Sequence, residues 1–267
     1  WEYGQFFPDR MAGECIQFID GQRDAPFFVY WAINVPHYPM QGTEKWRKHY
    51  KDLKAPRRMY AEFVSTMDET VGRVLDHLAA EGLDKNTLVI FQSDHGHSTE
   101  ERAFLGGGNA GPYRGAKACL FEGGLRVPSI VSLPGVVPTG EVRDQLAVGC
   151  DWLPTIADLC GAKLPKRKID GVSIRDLIID GTSESPHDGF YWQLGSGNGA
   201  QWVVREGDWK LLGNPRDRSA KKQTPLDKLF LANLKTDISE SKNVAKDHAD
   251  IVKRLQARRA KYLSTLE

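Results

Sequence analysis

Apolar and polar positions along the chain alternate between two periods. The clearest helical period covers residues 57–81, where Tyr60, Phe63, Val64, Met67, Val71, Val74, Leu75 and Leu78 recur at three- and four-residue spacing. That spacing predicts one long helix with a single apolar stripe. Gly82 follows at the position where a left-handed residue commonly ends a helix. The run Phe27-Phe28-Val29-Tyr30-Trp31-Ala32-Ile33 is apolar without interruption and predicts a strand covered on both faces. It ends in Asn34-Val35-Pro36-His37. A second such run, Thr87-Leu88-Val89-Ile90-Phe91, ends in Gln92-Ser93-Asp94-His95-Gly96, and a third, Ser129-Ile130-Val131-Ser132-Leu133, is closed by Pro134-Gly135. Asp151 reads as the cap of a short helix whose Ile156 and Leu159 face inward and whose stop is Gly161.

Strand, helix, strand, strand, helix predicts an α/β domain with a largely parallel sheet and flanking helices. The texture changes after about residue 183. Short β-like runs at 190–194, 201–205, 209–212 and 229–234 are separated by Gly, Asn and Pro, and predict a small antiparallel sheet. A last helix, from about residue 245, would turn Ile251, Leu255, Tyr262 and Leu263 inward. The expected division is an α/β part over residues 1–185 and a small α+β subdomain over 186–267. Trp192, Trp202 and Trp209 read first as packing for the small sheet, with stacking on sugars as the alternative.

Composition narrows the partners. Hydrophobic residues make up 40% and charged residues 27%, and 36 Lys plus Arg against 35 Asp plus Glu leave a net charge of +1. Such a balance gives no electrostatic reason to expect nucleic acid or an anionic membrane as partner. No apolar run approaches the roughly 18–20 residues of a membrane span. No signal peptide is visible, and the chain opens on Trp1-Glu2-Tyr3-Gly4 without an initiator Met, so a missing amino-terminal region is expected. Cys15, Cys119, Cys150 and Cys160 fit no zinc spacing and no dense disulfide framework; they read as small core residues, with one disulfide left open.

Candidate chemistry lies at the ends of the predicted strands, where open α/β sheets bind ligands. His37 follows one end, and Asp94 and His95 follow another. Asp94 offers a hard oxygen donor and His95 a nitrogen donor, two members of a divalent-cation site that needs further ligands from elsewhere. Asp94 could equally cap a following helix. The glycine-rich stretch from Gly106 to Lys117 lacks the closing Gly-Lys-Ser/Thr of a P-loop. It reads as a flexible loop able to fold over a crevice, and Lys117 alone would be a solvated surface charge.

Taken together and in order, Pro36-His37-Tyr38-Pro39, Ser93-Asp94-His95-Gly96, Arg114-Gly115-Ala116-Lys117 and Phe121-Glu122-Gly123-Gly124-Leu125-Arg126-Val127-Pro128 resemble the motifs of the sulfatase family, within the alkaline phosphatase superfamily. The stretch Asp237-Ile238-Ser239-Glu240-Ser241-Lys242-Asn243-Val244-Ala245 resembles the family's segment before its last helix. The glycine-rich loop most resembles the N-acetylgalactosamine-6-sulfatase-like branch.

The resemblance implies an alkaline-phosphatase-like fold and hydrolysis of a sulfated sugar or aryl sulfate ester. It also implies Asp94 and His95 as metal ligands, usually for calcium, with His95 where many members carry Asn. It implies His37 beside the leaving oxygen of the ester and Lys117 on the sulfate oxygens, both in catalytic and substrate-binding roles. Family members react through a formylglycine made from a Cys or Ser in a Cys/Ser-x-Pro/Ala-x-Arg motif. None of the four cysteines here has that context, so the nucleophile is expected upstream and the chain alone is expected to be inactive and to expose an apolar face. The family also suggests a periplasmic, secreted or lysosomal setting. Two other readings stay open: a phosphonate or phosphate monoester hydrolase of the same superfamily, and a non-catalytic relative that binds anionic glycans.

Overall fold

The computed structural model describes residues 6–219 and 225–265, so Trp1-Glu2-Tyr3-Gly4 lies outside the described residues. They divide into two compact units, one of Trp1–Thr87 with His97–Asn109, the other of Leu88–Gly96 with Ala110–Glu267.

The first unit is helical. Helices α1 (Phe7–Asp20) and α3 (Arg57–Ala80) pack together, and α2 (Glu44–His49) lies on α3. The predicted periodicity is realised in α3, which buries Phe63, Val74 and Leu78. It also buries Thr66 and Thr70, whose hydroxyls donate to the carbonyls of Glu62 and Thr66 at 2.9 and 2.7 Å. A threonine that bonds four residues back carries no unpaired polar group into a core. Glu69 fastens α2 by accepting from Lys45 Nζ at 2.8 Å and Trp46 Nε1 at 2.7 Å. Gly82 ends the helix as expected, with φ +67°.

Residues 27–33 depart from the expectation. They form neither helix nor strand, with Phe28 and Tyr30 68% and 84% exposed, and join no ladder among the described residues. A strand needs a neighbour offering N–H and C=O groups, and apolar character alone does not supply one.

In the second unit β1 (Val89–Gln92) pairs antiparallel with β2 (Ser129–Ser132), with Val89 opposite Ser132 and Gln92 opposite Ser129. The described residues contain no parallel pair. Helix α5 (Trp152–Cys160) ends at Gly161, φ +66°, as its pattern predicts. Asp151 occupies the N-cap position of α5, but its side chain makes no cap hydrogen bond there. Its fully buried carboxylate instead accepts from the backbone N–H of Val148 (2.9 Å) and of Val172 (3.0 Å), and both oxygens lie 2.9 Å from His187 Nε2. The short α6 (Arg175–Ile179) closes a small cluster in which Ile174, Leu177 and Ile178 meet Val131 and Trp152.

The small sheet is an antiparallel meander in the order β3 (Phe190–Leu194), β4 (Gln201–Glu206), β5 (Trp209–Gly213), β6 (Leu229–Asn233). Its two faces follow from strand alternation. Val203, Leu212, Phe230 and Ala232 cover Cys119, Leu120 and Phe121. Trp202, Val204, Leu211 and Leu231 form a second cluster with Ile251 and Leu255 of α7 (Ala249–Ser264). All three tryptophans pack the sheet: Trp192 on the first face, Trp202 and Trp209 on the second. The four cysteines are free; Cys15 and Cys119 are buried, whereas Cys150 and Cys160 are exposed.

Candidate functional site

Three of the motif segments are built into one another within the second unit. Helix α4 (Glu122–Leu125), a single turn, stands at the centre. Gly96 donates its backbone N–H to the Gly124 carbonyl at 3.1 Å, and Ser93 donates to the Pro128 carbonyl at 3.2 Å, which seats the 93–96 loop. Gly123 donates to the Arg114 carbonyl at 2.6 Å, which seats the 114–119 segment. These backbones approach so closely that a Cβ on Gly96 would overlap the Gly123 carbonyl oxygen, and one on Gly123 would overlap the carbonyl oxygens of Arg114 and Gly115. Glycine is required there by contact, not by flexibility.

Lys117 occupies a tight turn. Cys119 donates its N–H to the Ala116 carbonyl at 3.2 Å, and Ala118 takes a left-handed φ of +65°. The Cys119 thiol donates to the same carbonyl at 3.1 Å while its sulfur lies 3.2 Å from the Ala116 N–H. Ala116 and Cys119 are buried and Lys117 is half-buried. The turn thus fixes the backbone on both sides of the lysine.

The Asp94–His95 pair is oriented by its own loop. Gly96 O can only accept, so His95 Nδ1, 2.9 Å away, carries a proton. In the neutral ring Nε2 is then a lone pair, and it lies 3.0 Å from Asp94 Oδ2. Asp94 Oδ1 accepts from the His95 backbone N–H at 2.9 Å. A carboxylate oxygen and an imidazole nitrogen therefore lie side by side in this loop. The donors fit a divalent cation in kind, one carboxylate oxygen and one imidazole nitrogen, but not in number. Among the described residues no group of three or more His, Cys, Asp or Glu could hold a metal. Calcium takes about 6–8 ligands, mostly oxygens, so most of the shell must come from other groups.

His37 belongs to the first unit. Its backbone N–H closes a turn onto the Asn34 carbonyl at 2.9 Å, and its Nδ1 donates to the Tyr38 carbonyl at 2.8 Å. Nε2 is thereby the nitrogen available for outside chemistry. The structure thus joins the Asp94–His95 loop and the Lys117 turn on one support and describes His37 in a separate unit.

The glycine-rich stretch is less free than its composition suggests. Within the first unit the Gly107 carbonyl accepts from Arg57 at 2.8 Å, and a Cβ at Gly107 would overlap Pro56 and Tyr60.

Sequence reading missed the charged cluster behind α4. Glu122, Lys210 and Glu240 are all buried. Lys210 Nζ lies 2.8 Å from Glu122 Oε1 and 2.9 Å from Glu240 Oε1, and the Glu122 backbone N–H donates to Glu240 Oε2 at 2.6 Å. Arg126 adds a contact of 2.9 Å to Glu122. Burial pushes the Glu122 carboxyl up, but Lys210, Arg205 and Arg126 outweigh it and hold it at about 2. Burial dominates at Glu240 and raises its pKa. One signal was present in the sequence: Lys210 shares a strand face with Leu212, so the sheet alternation aims a cation into an apolar layer.

Comparison with known proteins gives concordant results. Residues 1–162 match the family model described as Sulfatase, and residues 115–264 match that described as N-sulphoglucosamine sulphohydrolase, C-terminal. The chain is 36% identical over 171 residues to N-acetylgalactosamine-6-sulfatase of Mus musculus, covering 63% of this chain and 32% of that protein. It is 36% identical over 183 residues to steryl-sulfatase of Rattus norvegicus, covering 67% of this chain and 31% of that protein. It therefore spans about a third of the length of these relatives. Among solved structures, Ps i-CgsB in complex with k-i-k-neocarrahexaose superposes with a TM-score of 0.84 at 28% identity, over 97% of this chain and 55% of that one. The phosphonate monoester hydrolase of Agrobacterium radiobacter shares the fold, with a TM-score of 0.66 at 20% identity over 95% of this chain and 59% of that one. Among the described residues no helix is long and apolar enough to cross a membrane.

Proposed function

The chain belongs to the sulfatase family, and from that premise we propose that the intact protein hydrolyses sulfate esters of sulfated sugars. The observation that carries this reading is the interlocking of Ser93-Asp94-His95-Gly96 with Arg114-Gly115-Ala116-Lys117 through the glycines of α4. It gives the family's motif residues a common physical purpose. The sugar class is supported by the names of relatives: an N-acetylgalactosamine-6-sulfatase, and a structure holding a neocarrahexaose.

In this reading Lys117 places a compact ammonium on the sulfuryl oxygens, where its attraction grows as charge moves onto them. Asp94 and His95 would contribute two ligands to a divalent cation, calcium in most of the family, which when bound would supply electrostatic stabilisation of negative charge. His37 keeps its Nδ1 on the Tyr38 carbonyl, which leaves Nε2 as the atom that would face the bridging oxygen and assist departure of the alcohol. The nucleophile expected of the family, a formylglycine, would come from outside these 267 residues. Residues 1–185 would then form part of the catalytic domain and residues 186–267 a smaller subdomain.

The test is a parallel assay of the full-length protein on aryl sulfate, aryl phosphate and aryl phosphonate esters. Sulfate should give the highest kcat/KM. A higher kcat/KM on the phosphonate would reassign the protein to the other branch of its superfamily. Binding of sulfated oligosaccharide without turnover of any ester would make it a non-catalytic relative.

A further inference from the structure

Both halves of the candidate site rest on α4, and α4 itself rests on the C-terminal sheet. Its first residue, Glu122, is gripped from below. Lys210 of β5 holds Oε1 at 2.8 Å, and Glu240, from the loop after β6, accepts the Glu122 backbone N–H at 2.6 Å. Glu240 takes a left-handed φ of +49° to reach inward, an uncommon conformation for a residue with a side chain. Its own Oε1 lies 2.9 Å from Lys210, so the three groups close a ring. Above that ring, Gly123 carries the 114–119 segment and Gly124 carries Gly96. The path from Lys210 to Asp94, His95 and Lys117 therefore runs through direct contacts joined by short stretches of backbone.

We propose that Lys210 and Glu240 are positioning residues for the candidate site. Held by them, α4 keeps the Asp94–His95 loop and the Lys117 turn in register with each other. The C-terminal sheet then contributes to the geometry of the site although none of its side chains is placed in it. The proposal deepens the sulfatase reading and rests on it only for the identity of the ligand.

A cluster whose role is bulk stability predicts a uniform loosening of the molecule when it is broken. A positioning role predicts loosening localised at the two seated segments. Exchanging Glu240 for Leu removes the acceptor for the Glu122 N–H, whereas Glu240→Gln keeps an acceptor oxygen there. Hydrogen exchange read by mass spectrometry on the full-length protein separates the two cases. In Glu240→Leu, peptides covering residues 93–97 and 114–119 should exchange at least tenfold faster. Peptides covering 251–260 of α7 should be unchanged, and Glu240→Gln should stay within about threefold of wild type at every peptide. Isothermal titration with calcium should show about tenfold weaker binding in Glu240→Leu than in Glu240→Gln.

Where Glu240→Leu alone does not fold, the double variant Lys210→Met/Glu240→Leu removes one charge of each sign. Replacing a buried ion pair by apolar groups is often tolerated. It should fold and show the same localised exchange. Unchanged exchange at 93–97 and 114–119 in a folded variant overturns the proposal, and so does acceleration spread evenly over the second unit. If exchange changes as expected but the wild-type protein binds no calcium and cleaves no sulfate ester, the positioning stands and the sulfatase reading falls.

Discussion

At the scale of single residues, Lys117 carries the sharpest prediction. The turn that holds it is closed by the Ala116 carbonyl, which accepts from the backbone N–H and the thiol of Cys119. Lys117→Ala in the full-length protein should lower kcat/KM on a sulfate ester by about 10²–10³, while the melting temperature stays nearly unchanged. More than half of the wild-type kcat/KM in that variant would remove the lysine from the sulfate site. The metal pair predicts an asymmetry. Asp94→Ala removes a charged oxygen donor and should abolish calcium binding, whereas His95→Asn substitutes an acceptable amide oxygen and should weaken it only mildly. Elemental analysis of the two variants, showing equal and full occupancy, would refute the assignment.

Glu122 gives a prediction in pH. Its folded pKa of about 2 lies below the ordinary value of 4.5, so its stabilisation is fully present above about 4.5 and is lost as pH falls towards 2. A difference of that size corresponds to roughly 3 kcal/mol. Glu240 acts in the opposite sense: its raised pKa contributes stability at low pH that is lost as pH rises through the folded value. Urea unfolding of wild type and Glu122→Gln should therefore differ most near pH 6, with the gap closing between pH 4.5 and pH 2. A gap independent of pH would mean that the carboxylate charge contributes nothing.

At the scale of elements, backbone contact decides more than propensity does. The 93–96 loop, the 114–119 segment and α4 are short, and each is held by bonds to the others. Gly96→Ala should be more damaging than its one added methyl suggests, because the overlapped atom is a backbone carbonyl that cannot rotate away. The expected loss is on the order of 2–4 kcal/mol, read from denaturant midpoints. Residues 27–33 show the opposite case. Their Phe28 and Tyr30 are exposed and their backbone joins no ladder among the described residues, an arrangement that invites pairing with another chain. The 267-residue chain alone should associate at micromolar concentration, and Phe28→Ser/Tyr30→Ser should reduce the effect. Light scattering showing a monomer for the unmodified chain would contradict this.

At the scale of the whole molecule, Cys119, Leu120 and Phe121 form a single core with Val203, Leu212 and Phe230 of the small sheet. Phe121 is fully buried there, its ring edge-on to that of Phe230 at 5.5 Å. Removing residues 186–267 would uncover this layer at about 1.5–3 kcal/mol for each large side chain. It would also leave Glu122 without Lys210. A chain ending at residue 185 should therefore lose the fixed structure of the 114–126 segment. Dispersed, native-like amide resonances from that segment in the shortened chain would contradict the coupling.

The sequence by itself determined the elements whose signal is local. The 3.6-residue stripe of α3, the stop at Gly82, and the four short strands of the meander within a residue or two all follow from periodicity and turn chemistry. Ordered motifs pointed to the sulfatase family, which the family model over residues 1–162 bears out. What the tertiary structure decided depends on residues far apart in the chain. Thr66 and Thr70 interrupt the apolar stripe and are nevertheless buried, because a hydroxyl can be satisfied four residues back. Asp151 reads locally as a helix cap, yet its carboxylate turns to Val172 and His187. Residues 27–33 have the composition of a strand, but a ladder belongs to two segments at once. The ring of Glu122, Lys210 and Glu240 joins positions about ninety and thirty residues apart. No local pattern records such a ring, because a buried charge is tolerable only once the fold has delivered its partners.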